Sequence, residues 1–139
     1  MPTRRRFLQV IAAGIAAGWV SPRALAALRA ARPAAGKHPD PRPGIDASKV
    51  LPASALTEAS AAPAFEDARA IPQVLDGIHC HCECADGKEK YSLLSCYEGD
   101  GMAQLCDICQ GQARLARRLV RLRRSLGQIR EAIDAKYNK

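Results

Sequence analysis

All six cysteines of the chain fall between Cys80 and Cys109, spaced Cys-x-Cys-x-Cys, eleven residues, Cys96, nine residues, Cys-x-x-Cys. This spacing constrains the fold more than any other feature. In an extended segment alternate side chains share a face, so Cys80, Cys82 and Cys84 can converge on one point. Cys106 and Cys109 are three apart, which makes them neighbours on a helix. Two converging groups plus Cys96 make a thiolate cage. Soft thiolates suit zinc, copper(I) or iron–sulfur. Six of them exceed the four of a single tetrahedral zinc, which leaves room for more than one ion. A disulfide framework is the rival, since an even count of cysteines in a small exported domain is its usual sign. A bridge within Cys80, Cys82 and Cys84 closes a very small ring, and a helix does not easily join Cys106 to Cys109. Bridges between the two groups stay open, and so does a thiol redox role.

His79 and His81 alternate with the first cysteines. They count as candidate nitrogen ligands, although in a strict strand they point away from the cage and serve as exposed or supporting groups. Asp76, Glu83, Asp86, Glu89, Glu98, Asp100 and Asp107 crowd the same stretch. They read as solvated loop residues, or as a field that draws cations in before capture.

The rest of the composition argues against a large core. Hydrophobic residues make up 47%, but 26 residues are Ala and only 4% are aromatic. Methyl groups bury little area each. All nine prolines lie at or before Pro72, so the front half is linker-like. No apolar run is long enough for a transmembrane span. There is no Gly-rich phosphate loop and no helical histidine pair of the metalloprotease type, so an enzyme is not expected. Cys109 is followed by Gln110 and not by His, which argues against covalent haem.

Thr3-Arg4-Arg5-Arg6-Phe7-Leu8-Gln9 resembles a twin-arginine export signal. A weakly apolar stretch from Val10 to Val20 follows, and Ala24-Leu25-Ala26 offers the small residues that a signal peptidase reads. Residues 1–26 are therefore expected to be a signal peptide, with the twin-arginine translocase as a partner during export. The competing reading is a basic arm before a buried helix. Removing 1–26 leaves 17 basic and 14 acidic residues, which turns a formal charge of +7 into +3. That balance, with so few aromatics for base stacking, makes nucleic acid an improbable partner. The translocase resembles a gate for proteins already folded in the reducing cytoplasm, which favours a metal over disulfides. A periplasmic or otherwise extracytoplasmic location follows, and an unidentified protein partner is open.

Residues 27–60 read as an Ala- and Pro-rich linker, stiffened at Pro39-Asp40-Pro41-Arg42-Pro43-Gly44. His38 falls in this tether and is expected in solvent. Short helices are predicted after Pro63 and from Pro72, the second stopped by Gly77. The longest helix is predicted over about residues 102–123, with both Cys106 and Cys109 on its apolar face and Arg114, Arg117, Arg118 and Arg121 on its wet face. Ser125 and Gln128 fit a capping box that opens a last helix, with Leu126, Ile129, Ile133 and Tyr137 as its apolar stripe. The predicted fold class is mainly α. It is a small helical domain at residues 61–139 around a Cys-rich loop, preceded by a signal helix and a disordered tether.

His79-Cys80-His81-Cys82-Glu83-Cys84 resembles the motif of the PCYCGC family, small exported bacterial proteins or lipoproteins whose function is not established. Ser92-Leu93-Leu94-Ser95-Cys96-Tyr97-Glu98, Cys106-Asp107-Ile108-Cys109 and Ile129-Arg130-Glu131-Ala132-Ile133-Asp134 extend the resemblance. His79, His81 and Glu83 stand where that family has Pro, Tyr and Gly, while every cysteine is kept. The resemblance implies a cysteine-based site outside the cytoplasm and supplies no reaction. The function expected from these residues is binding of a soft metal, copper(I) or zinc, for storage, delivery, sensing or structure. The alternatives are a disulfide-stapled interaction module and a thiol redox carrier. A domain this small is marginal without a staple, so the site should carry much of its folding free energy.

Overall fold

A computed structural model describes residues 38–82 and 90–137. The expected signal at 1–26, residues 27–37 of the expected tether and the stretch holding Glu83, Cys84, Asp86 and Glu89 lie outside the described residues. Within them the fold is helical, without a strand. Helix α1 is Ala62–Ala70, α2 is Pro72–Asp76, α3 is Asp107–Arg121 and α4 is Leu126–Tyr137. Four 3-10 turns, at Ala53–Ala55, Ala59–Ala61, Leu94–Tyr97 and Met102–Leu105, join or precede them. No helix here is long and apolar enough to cross a membrane.

Local chemistry accounts for the helix ends. A proline occupies the first turn of both α1 and α2, where its missing N–H costs nothing. Gly77 closes α2 as expected. The capping box at α4 forms in both directions. Gln128 N–H donates to Ser125 Oγ at 3.3 Å, and Ser125 N–H donates to Gln128 Oε1 at 3.0 Å. Helix α3 ends in paired bonds from Arg123 N–H to the Val120 carbonyl and from Arg124 N–H to the Leu119 carbonyl. That pattern needs a left-handed residue, and Arg123 supplies it at φ 55° where glycine is usual.

The start of α3 differs from the sequence expectation. The helix does not run through from 102. Gly101, at φ 58°, opens a 3-10 turn, and Cys106 then breaks it with extended backbone. The Cys106 sulfur caps α3 by accepting the Cys109 N–H at 3.3 Å. An N-cap residue must leave helical φ/ψ to present its acceptor. This break sends Leu105 into solvent, 77% exposed, although an uninterrupted helix would put it on the same apolar face as Cys109.

Small residues carry the packing. Ala61, Ala64 and Ala68 on one side and Ala113 and Ala116 on the other are fully buried, and α1 packs chiefly on α3. With no bulk between them, two helix backbones approach closely, and Phe65 and Tyr97 close the layer edge-on at 4.8 Å. Ile129 and Ile133 bring α4 onto α3. Tyr137 seats its hydroxyl against Gly111, where a Cβ would collide with it.

Residues 38–60 are irregular, broken by turns and short 3-10 pieces, yet they pack against the helices. Val50 is buried and bridges Glu98. Proline removes N–H donors but leaves carbonyls, and side chains from the helical part reach for these. Arg130 donates to the Pro39 carbonyl at 2.8 Å and Tyr91 to the Asp40 carbonyl at 2.6 Å. Arg69 donates to the carbonyls of Val50 and Leu51. The strongest anchor is Arg42. Its backbone N–H and its Nη2 each lie 2.7 Å from the carboxylate of Asp76, which also accepts from Ser92 Oγ at 2.7 Å. Burial works to raise the Asp76 pKa, but these donors outweigh it and hold the carboxyl below its ordinary range. Asp76, read from sequence as a solvated loop residue, is instead fully buried.

Candidate metal centre

Three chain segments deliver sulfurs to one place. The first follows α2. The Ile78 N–H donates to the Leu75 carbonyl, and the Leu93 N–H returns to the Ile78 carbonyl at 2.8 Å. That crossing holds residues 78–82 beside the 3-10 turn Leu94–Tyr97, which carries Cys96. The third segment is the N-terminus of α3, with Cys106 as its cap and Cys109 in its first turn. Tyr97 ties the second segment to the third, its hydroxyl donating to the Cys109 carbonyl at 2.8 Å.

Two overlapping triads result. Cys80, Cys96 and Cys109 offer sulfurs all within 4.8 Å of one another, and so do Cys82, Cys106 and Cys109. Cys80 Sγ lies 3.3 Å from Cys82 Sγ and 3.4 Å from Cys109 Sγ, and Cys109 Sγ lies 3.5 Å from Cys82 Sγ. Cys80, Cys82, Cys96 and Cys109 are buried and Cys106 is half-buried. No disulfide joins the described cysteines.

Crowded thiols share protons unevenly. Hydrogen bonds from Cys109 and then Cys96 stabilise a thiolate at Cys80 against the cost of burial, and its pKa is pulled down to about 2. Cys109 is driven strongly the other way, first by its hydrogen bond to Cys80 and then by that to Cys96. At Cys96 the hydrogen bond from Cys109 pulls down, but the bond to Cys80 and burial prevail and raise it. One negative sulfur held among proton-bearing neighbours is the arrangement that a soft cation can enter, displacing the protons.

The sequence candidates separate cleanly. Cys80, Cys82, Cys96, Cys106 and Cys109 come together, and Cys84 lies outside the described residues. His79 and His81 stand apart from both triads. Alternation sends His81 to the opposite side, with Nε2 at 2.9 Å from Asp134 Oδ1 and Nδ1 at 2.7 Å from Gln112 Nε2 and 3.0 Å from the His79 carbonyl oxygen. His38 meets the same carboxylate at 3.1 Å, and its Nδ1 accepts the His79 backbone N–H at 3.0 Å. Its side chain is only 5% exposed, so the expectation of a solvated His38 is overturned. Burial there lowers its pKa, with the Asp134 hydrogen bond opposing.

Asp134 and Gln112 were not read as site residues. A faint signal existed, since Gln112 falls on the apolar arc of α3 and Asp134 is next to Ile133 in the α4 stripe. Polar residues on buried faces need partners, and these two found the histidines.

The fold and the site together define a small helical protein built around a buried cluster of thiols. No protein-family model matches the chain, and no curated protein or solved structure is significantly similar to it.

Proposed function

We propose that this protein binds a soft metal ion, copper(I) or zinc, through its thiolate cage, outside the cytoplasm after export by the twin-arginine translocase. The ion is stored, delivered, sensed or used as a staple. Membership of the PCYCGC family and cleavage of residues 1–26 belong to the same proposal. The observation that carries it is the meeting of five sulfurs from three segments in two compact triads, without a disulfide among the described residues. Thiolate is the ligand such ions prefer, and a buried group of thiols has few other uses. A second reading, a thiol redox carrier, draws on the depressed Cys80 pKa beside neighbours close enough to pair with it.

Native mass spectrometry with elemental analysis of protein exported in its own host tests both. The expected result is metal mass with the thiols reactive only after chelation. Metal-free protein with its sulfurs joined in pairs would overturn metal binding, and a reversible midpoint without metal would establish the carrier. Cys82→Ser should lower metal content and thermal stability together.

A further inference from the structure

The two triads share one residue. Cys109 Sγ touches Cys80 of one triad at 3.4 Å and Cys82 of the other at 3.5 Å, and it is fully buried at the head of α3. Cys80 and Cys96 complete the first triad and Cys82 and Cys106 the second, with Cys80 Sγ and Cys82 Sγ 3.3 Å apart where the two meet. A tetrahedral zinc takes four ligands, so one ion cannot use all five sulfurs, and two ions that share Cys109 take three thiolates each and fill the fourth position with a further donor such as water. With metal–sulfur bonds of about 2.3 Å, sulfur–sulfur edges around such an ion are about 3.8 Å. The closest pairs here lie a few tenths of an ångström inside that edge, and the rest of each triad lies within 4.8 Å. Each triad therefore matches one ion after a small expansion.

We propose that the cage is dinuclear, holding two soft divalent d10 ions of the zinc type, with the Cys109 thiolate as the bridge between them. This rests on the metal-binding reading above and deepens it.

Charge decides between monovalent and divalent occupants. Five thiols that give up five protons to two dications leave one net negative charge. Two copper(I) ions in the same five thiolates would leave three. Four of the five sulfurs belong to buried residues, and uncompensated charge there is costly. The α3 N-terminus, with its positive dipole end at Cys109, offsets a single residual charge far better than three.

Cadmium(II), the heavier congener of zinc, gives the test because cadmium-113 spins couple through a shared sulfur. The full chain, stripped of metal and reduced, is titrated with zinc and with cadmium-113. The expected result is two equivalents bound, with two cadmium resonances scalar-coupled to each other. Cys106→Ser should drop the count from two to one and erase the coupling, leaving the Cys80–Cys96–Cys109 site filled. Cys96→Ser should do the same from the other side. Cys109→Ser should abolish the coupling at any loading. One equivalent at saturation in the wild-type chain, or two resonances without coupling, overturns the bridge while leaving metal binding intact. Two equivalents of copper(I) with no uptake of zinc or cadmium overturns the divalent assignment alone. No uptake of zinc, cadmium or copper(I) removes the metal-binding reading itself, and the bridge with it.

Discussion

The segment from His79 to Cys82 feeds two unlike clusters, one on each side. Cys80 and Cys82 enter a crowd of sulfurs, while His81 turns to Asp134 and Gln112, with His38 on the same carboxylate. The imidazole side sets a carboxylate at 2.9 to 3.1 Å from two rings, with an amide behind one of them. The sulfur side is held by thiol hydrogen bonds, which are weak, around a thiolate at Cys80. The comparison teaches that a bare list of His and Cys is a poor guide to a ligand set. Alternation along an extended chain sorts them into a reactive face and a structural one.

Metal removal should separate the two sides most sharply. With free ion at about 1,000 times its Kd, loading adds about 4 kcal/mol to unfolding. Thermal scans with and without a strong chelator measure this, and coincident curves would break the distinction between the faces. Next comes Arg42→Ala, which takes the guanidinium away from Asp76 and leaves the Arg42 backbone N–H and Ser92 as its donors. With the Arg42 side chain 35% exposed, a loss of about 2 kcal/mol is expected, with metal content unchanged. Its pH signature follows from the lowered Asp76 pKa. The stabilisation is fully present above the ordinary value of 3.8 and is lost as pH falls through the depressed folded value. Acid titration of the variant should therefore lack part of the wild-type decline.

Asp134→Ala removes the centre of the imidazole cluster and should cost about 2 kcal/mol in denaturant unfolding. Its metal stoichiometry should match the wild type. A lower stoichiometry would mean that the imidazole side positions the sulfurs, and the two faces would then be one site. The smallest effect belongs to His79→Ala, because the hydrogen bonds of His79 are made by its backbone. Less than about 0.5 kcal/mol is expected, and a loss of bound metal would show that its ring reaches the ion.

Much of the helical framework was legible. Pro72, Gly77 and the Ser125–Gln128 box mark helix ends by local chemistry, and local chemistry is what a sequence carries openly. The convergence of cysteines was legible for the same reason, since periods of two and of three to four residues are local rules. Cys106 shows the limit. As one residue of a regular helix it would share a face with Cys109, and it does stay beside Cys109, but as a cap that breaks the helix and reorients what precedes it. The proline-rich stretch from His38 to residue 60 shows another limit. Nothing within it announces a partner, because its partners are carbonyl-seeking side chains that lie up to ninety-one residues away.

By itself, then, the chain determined which residues become helical, where the helices stop and which sulfurs can converge, because those depend on neighbours a few positions apart. Only the tertiary structure decided that Cys96 joins both arms of the cage, that Cys109 stands in two triads at once and that the histidines close on Asp134. Those are long-range juxtapositions. They are set by how closely alanine-lined helices approach and by which buried polar groups must find partners, and neither is encoded at any one position.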